Sequence, residues 1–164
     1  MEYRLIVMRH AKSDWNTDAA NDHARPLNKR GRRDAPRIAE RLVELDWQPS
    51  HIVSSDSQRT TETFQLMAGA FSGSPSVAFL DSLYHAGIRE LEDAVNALPD
   101  EFSTVMALGH NPGWQDCIHR LTGEFEEMTT ANAALMTIEA DSWAEAIHNR
   151  HGWKLIEMIR PREL

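Results

Sequence analysis

A chain of 164 residues, 41% hydrophobic and 26% charged, has the size and composition of one globular domain with a substantial core. Its formal net charge of -8 argues against nucleic acid or an anionic membrane as the main partner, so a bound anion must rely on local cations. The single cysteine, Cys117, excludes an internal disulfide and a cysteine-built zinc site, and no apolar run approaches the ~18 residues of a membrane span.

The opening run is Leu5-Ile6-Val7-Met8, followed by Arg9 and His10. Residues 3–9 read as a buried strand, too short and too β-branched for a helix. The run is also too short for the core of a signal peptide, and a cytoplasmic address is expected. Residues 11–27 carry no period and read as a loop, a length that is uncommon unless functional. Asn28 is placed to cap a helix through about Leu45, with Ile38, Leu42 and Leu45 on one face. Pro36 falls inside it, which predicts a kink or a late start.

Residues 51–54 give a second strand, and Asp56 or Ser57 can cap a helix to about Phe71. A turn at Gly73-Ser74-Pro75 leads to a strand at 77–80, a surface segment from Asp81 to Gly87 and a helix over 88–98 closed by Pro99. Residues 103–109 form the next strand. Beyond it Asn111 reads as an N-cap and Pro112 as a first-turn residue, with Trp114, Cys117, Ile118 and Leu121 as the apolar stripe and Gly123 as the stop. Runs at 133–139 and 153–159 read as two further strands, the second expected to be antiparallel at a sheet edge. Alternating strands and helices make a three-layer α/β domain spanning residues 1–164.

In an open α/β sheet, ligands bind beyond the carboxyl ends of the strands. Arg9 and His10 follow the first strand, Arg59 lies in the first turn of the helix after the second, and His110 follows the strand at 103–109. A cation in a first helical turn opposes the macrodipole unless an anion is shared between them. The N–H groups after His110 open another helix and point towards the same place. Each of these residues alone reads as well as a structural or surface residue. Together, two arginines and two histidines at three strand tips make a pocket for a small, doubly charged anion.

Arg9-His10-Ala11, the Ser54-to-Thr60 segment and Gly109-His110-Asn111-Pro112 together resemble the histidine phosphatase superfamily. The short length, Arg25-Pro26-Leu27 and Thr129-Thr130-Ala131 resemble its small SixA-type phosphohistidine phosphatase branch, and the resemblance spans nearly the whole chain. The third motif position, usually glycine, is Ala11, a branch marker that matters only where a positive φ is needed.

The resemblance implies a phosphoglycerate mutase-like α/β/α fold with a mostly parallel central sheet. It implies a phosphatase that needs neither metal nor cofactor. In that chemistry His10 is the nucleophile, one of its ring nitrogens held by a backbone carbonyl, and Arg9, Arg59 and a protonated His110 neutralise the phosphoryl oxygens. Lys12, Arg25 and Asn111 are further expected substrate contacts, and Trp15 stands beside the entrance.

Mutases and larger phosphatases of the superfamily place an acid in the stretch corresponding roughly to residues 81–87. Here that stretch offers Asp81, Tyr84 and His85, with no glutamate before Glu90. A pocket without a strong acid favours leaving groups that need little protonation, such as an imidazole, an aryl oxide or an acyl group. The expected partner is thus a phosphate-bearing substrate, phosphohistidine in a protein or a small phosphoester. A phosphoglycerate mutase-like phosphotransferase is disfavoured by the short chain and missing glutamate. A non-catalytic phosphate-binding module is disfavoured because all four core residues are present. His23, His51, His119, His148 and His151 read as structural or surface residues, Trp114 as helix packing and Cys117 as a small buried hydrophobe.

Overall fold

The apolar run that opens the chain becomes β1 (Glu2–Arg9), an inner strand buried on both faces. The computed structural model describes residues 1–164. Its sheet has six strands in the order β3-β2-β4-β1-β5-β6, with β2 at His51–Ser55, β3 at Ser76–Leu80 and β4 at Thr104–Gly109. The last two are β5 at Ala133–Glu139 and β6 at Lys154–Ile159. Leu5 and Val7 point to one face of the sheet and Ile6 and Met8 to the other, so a continuous apolar run feeds two cores at once. On one side α1 (Lys29–Glu44) and α2 (Gln58–Ala68) contribute Ile38, Leu42 and Met67. On the other, α3 (Ile88–Val95), α4 (Gly113–Thr122) and α5 (Trp143–His148) contribute Leu91, Trp114, Cys117 and Trp143. This is the expected α/β/α layering.

Local signals hold at most boundaries. Asn28 caps α1, its side chain accepting from the Gly31 N–H at 2.9 Å, and Ser57 caps α2 by accepting from the Thr60 N–H at 3.3 Å. Gly123 ends α4 in the left-handed region at φ 79°. Helix α1 runs through Pro36, which gives up only the N–H that would have reached Arg32. Helix α2 stops at Ala68, short of the expected Phe71. Asn111 caps from one position further out than expected. The Asn111–Pro112 bond is cis, α4 begins at Gly113, and Asn111 Oδ1 accepts from the Gln115 N–H at 3.2 Å.

The last strand, β6, pairs antiparallel with β5 at the sheet edge, as expected. Two features of the C-terminal third go beyond the sequence reading, the first being that β5 is itself reversed and pairs antiparallel with β1, so that β6 runs with β1. The cause lies in residues 123–132, which return to the carboxyl end of β1. There the Arg9 N–H donates to Asn132 O at 3.0 Å and the Ala131 N–H to His10 O at 2.9 Å, so the next strand starts where β1 ends. The second feature is α5, a helix of 6 residues capped by Ser142, too short to leave a readable period.

Gly113 shows how tightly the layers meet beside the strand tips. A Cβ built there would lie 1.7 Å from Ala86 O, a backbone atom that cannot rotate away. Gly113→Ala is expected to destabilise the fold by about 1–3 kcal/mol in urea unfolding. Gly69→Ala, whose Cβ would meet nothing within 4 Å, is expected to leave the midpoint unchanged or raise it slightly.

Candidate active site

Parallel pairing of β1 with β4 places Arg9 opposite Gly109, so the next residue on each strand is a histidine. The two imidazoles lie with ring centroids 5.2 Å apart, both buried. Strand β2 flanks β4 on its other side, and its carboxyl end delivers Ser55 and then Arg59 on the first turn of α2 to the same edge. The expected convergence of Arg9, His10, Arg59 and His110 is present. They line one cleft of about 530 Å³, large enough for a phosphorylated side chain or a small ester.

His10 Nδ1 lies 2.7 Å from Ala11 O, which names the backbone carbonyl that the sequence left open. A carbonyl only accepts, so the proton sits on Nδ1 and Nε2 keeps its lone pair. Ala11 is itself fixed, its N–H donating to Thr63 Oγ1 at 3.1 Å while that hydroxyl donates to Arg59 O at 2.7 Å. Ala11 does not adopt a positive φ, so nothing at this position requires glycine. Arg9 Nη1 donates to Met128 O at 3.1 Å. Arg9 Nε, Arg59 Nε and His110 Nδ1 are buried without a hydrogen-bond partner. All three belong to side chains that line the cleft, and buried polar nitrogens left without a partner are the groups a bound oxyanion would satisfy.

Lys12, Arg25 and Asn111 also line the cleft. Arg25 is buried, donates to Ser13 Oγ and lies 3.6 Å over the ring of Trp15, which is 71% exposed at the cleft wall. Asn111 is also tied into the fold: Nδ2 donates to Met128 O at 2.8 Å and Oδ1 accepts from the Gln115 N–H at 3.2 Å, so the residue both lines the cleft and holds the segment in place.

The histidine phosphatase superfamily (branch 1) model matches residues 5–94. An uncharacterized chloroplastic protein of Arabidopsis thaliana is 37% identical over 170 residues, covering 96% of this chain and 78% of its own. The chain belongs to the histidine phosphatase superfamily. Among solved structures, a protein assigned as the phosphohistidine phosphatase SixA of Nakamurella multipartitia superposes with a TM-score of 0.84 at 25% identity, covering 98% of this chain and 97% of its own. One assigned as SixA of Agrobacterium tumefaciens gives a TM-score of 0.80 at 25% identity, covering 97% and 98%. This histidine phosphatase is of the SixA type.

The sequence reading did not single out Asp22. This carboxylate lies in the cleft of the histidine phosphatase and ties three elements together. Arg59 donates to Asp22 O at 2.8 Å and to Oδ2 at 3.0 Å, Arg25 Nη2 lies 3.2 Å from Oδ1, and the Tyr84 hydroxyl donates to Oδ2. The Tyr84 hydroxyl and the Arg59 guanidinium hold the Asp22 carboxyl well below the usual carboxylate range. It is therefore ionised and has no proton to give a leaving group. Burial and the Asp22 hydrogen bond raise Tyr84, keeping it a phenol. Asp81 opens a 3-10 turn at Asp81–Leu83 and does not line the cleft, whereas Tyr84 and His85 do. His23 closes the loop, its Nε2 2.9 Å from Asp56 Oδ1.

In the resting cleft His110 departs from the expected imidazolium: burial, with His10 and Arg59 nearby, lowers it to about 3, so the ring is neutral at pH 7 before an anion arrives. Burial lowers His10 to about 3 as well, the bond to Ala11 opposing and Arg59 and Arg9 adding to the shift. Cys117 is pushed up to about 12 by burial, an inert thiol.

Both histidines make stability depend on pH with a defined sign. Above their ordinary value of 6.5 they are neutral whether the chain is folded or not. Between about 6.5 and about 3 the unfolded chain binds protons that the fold excludes, so stability is lost as pH falls through that window. Urea midpoints between pH 7 and pH 4 are expected to fall more steeply for the wild type than for the double variant His10→Asn, His110→Asn. The difference in slope is at most about 1.4 kcal/mol per pH unit for each histidine.

Proposed function

We propose that this protein is a phosphatase that works through a covalent phosphohistidine on His10, acting on phosphohistidine in proteins or on phosphoesters with good leaving groups. The observation that carries this reading is the Nδ1–H of His10 held on Ala11 O, which leaves Nε2 as a neutral nucleophile in a cleft lined by Arg9 and Arg59.

In the first step the Nε2 lone pair forms a bond to phosphorus as the bond to the leaving group breaks, and that group departs with the electron pair. The ring becomes cationic, and its charge is drained towards the Ala11 carbonyl through the Nδ1–H bond. Arg9 and Arg59 oppose the negative charge on the phosphoryl oxygens, and the neutral His110 adds a hydrogen-bond donor. In the second step water attacks phosphorus, the P–N bond breaks, and phosphate leaves with His10 neutral again.

The leaving group defines the preferred substrate class. The one carboxylate in the cleft is ionised, and Tyr84 donates its proton to that carboxylate. Alkoxides, which need a proton as they depart, are poorly served. Aryl oxides are better served, as is a phosphohistidine whose other ring nitrogen already carries a proton, since it departs as neutral imidazole. Similarity to proteins assigned as phosphohistidine phosphatases supports the same class.

The purified protein in EDTA is expected to hydrolyse p-nitrophenyl phosphate and a phosphohistidine-bearing protein much faster than sugar phosphates, and to yield an acid-labile phosphoenzyme on rapid quenching. His10→Ala is expected to abolish turnover and labelling together, and Arg59→Ala to lower kcat/KM by about a hundredfold or more. Equal turnover by wild type and His10→Ala would refute the nucleophile. Sugar phosphates turning over as fast as phosphohistidine would refute the leaving-group argument.

A further inference from the structure

Ser55, the last residue of β2, has no solvent exposure and lies between the chain and His110. Its Oγ is 3.2 Å from the Ser57 N–H and 2.9 Å from His110 Nε2. A backbone N–H only donates, so Ser57 takes one lone pair of Ser55 and leaves its hydroxyl proton to be placed.

The neighbouring hydroxyls narrow the choice. Thr60 Oγ1 lies 2.8 Å from Ser55 O and 3.1 Å from Ser57 O, two carbonyls that can only accept, so its proton is directed to them. With the Thr60 proton on a carbonyl, the 2.7 Å contact is made by the Ser57 hydroxyl donating to Thr60 Oγ1, while Ser57 Oγ accepts from the Thr60 N–H at 3.3 Å. Ser57 Oγ also lies 3.4 Å from His110 Nε2, but it has no proton left for that nitrogen.

For the neutral ring two arrangements remain. With the imidazole proton on Nε2, the Ser55 hydroxyl proton is buried with no acceptor and the Nδ1 lone pair has no donor. With the proton on Nδ1, Ser55 donates to Nε2, every hydroxyl proton in the cluster has an acceptor, and only the Nδ1–H is unpartnered. The second arrangement leaves fewer buried groups unpaired, and the group it leaves is a donor.

We propose that Ser55 is a positioning residue that fixes His110 in its Nδ1–H tautomer and so makes that ring a donor to a phosphoryl oxygen. A relay runs from the Ser57 amide through the Ser55 hydroxyl to Nε2. Its far end is a preset N–H that needs no net charge on the ring. The proposal rests on the phosphatase reading only for the identity of the acceptor.

Nitrogen-15 NMR of histidine-labelled protein at pH 7, with no substrate added, tests this directly, the His110 signals being assigned by their loss in His110→Ala. A protonated Nδ1 with an unprotonated Nε2 is expected in the wild type. In Ser55→Ala the ring is expected to move to the Nε2–H form or to a mixture. With p-nitrophenyl phosphate, Ser55→Ala is expected to lower kcat by about tenfold with a smaller change in KM, the size of one lost neutral hydrogen bond. An Nε2–H ring in the wild type, or an Nδ1–H ring that survives in Ser55→Ala, would overturn the proposal. So would an unchanged kcat. The tautomer is read without turnover, so failure of the phosphatase reading leaves this result standing by itself.

Discussion

The parallel register of β1 with β4 is the constraint on which the rest of the cleft depends. With Arg9 opposite Gly109, residues one hundred positions apart leave the sheet as neighbours, and each is a histidine. A slip of one residue would send Leu5 and Val7 into the core now filled by Ile6 and Met8 and would part the two histidines. The burial that stabilises this sheet therefore also sets the spacing of the two imidazoles.

Burial has a second effect at the strand tips. The cleft gathers Arg9, Arg25 and Arg59 from three separate segments in a chain whose formal net charge is -8. Desolvation works against positive charge here, leaving both histidines neutral and lowering Arg9 without discharging it. What remains is a pocket in which arginines carry the charge and neutral imidazoles supply a lone pair and an N–H. The electrostatic and nucleophilic tasks fall to different side chains.

Much of this was legible in the sequence because its signals are local. The apolar run before Arg9, the serine cap before Arg59 and the glycine stop after Leu121 each depend on neighbours within a turn or a strand. What was not legible depends on contacts distant in the chain. Asp22 sits in a stretch without period, and its position is set by Tyr84, Arg59 and the bond from the Gln58 N–H to His23 O. The direction of β5 follows from where residues 123–132 return, and the neutrality of His110 follows from burial. The role of Asn111 was half visible, since its cap is local and its bond to Met128 is not.

The grip of Asp22 on Arg59 bears on how a buried cation is kept ready for an anion. Nη1 donates to the Asp22 carbonyl and Nη2 to its carboxylate, which fixes the plane of the guanidinium while the Nε–H stays unpartnered. The charge is compensated and its direction set before any ligand is present, so little side-chain ordering is left to the act of binding.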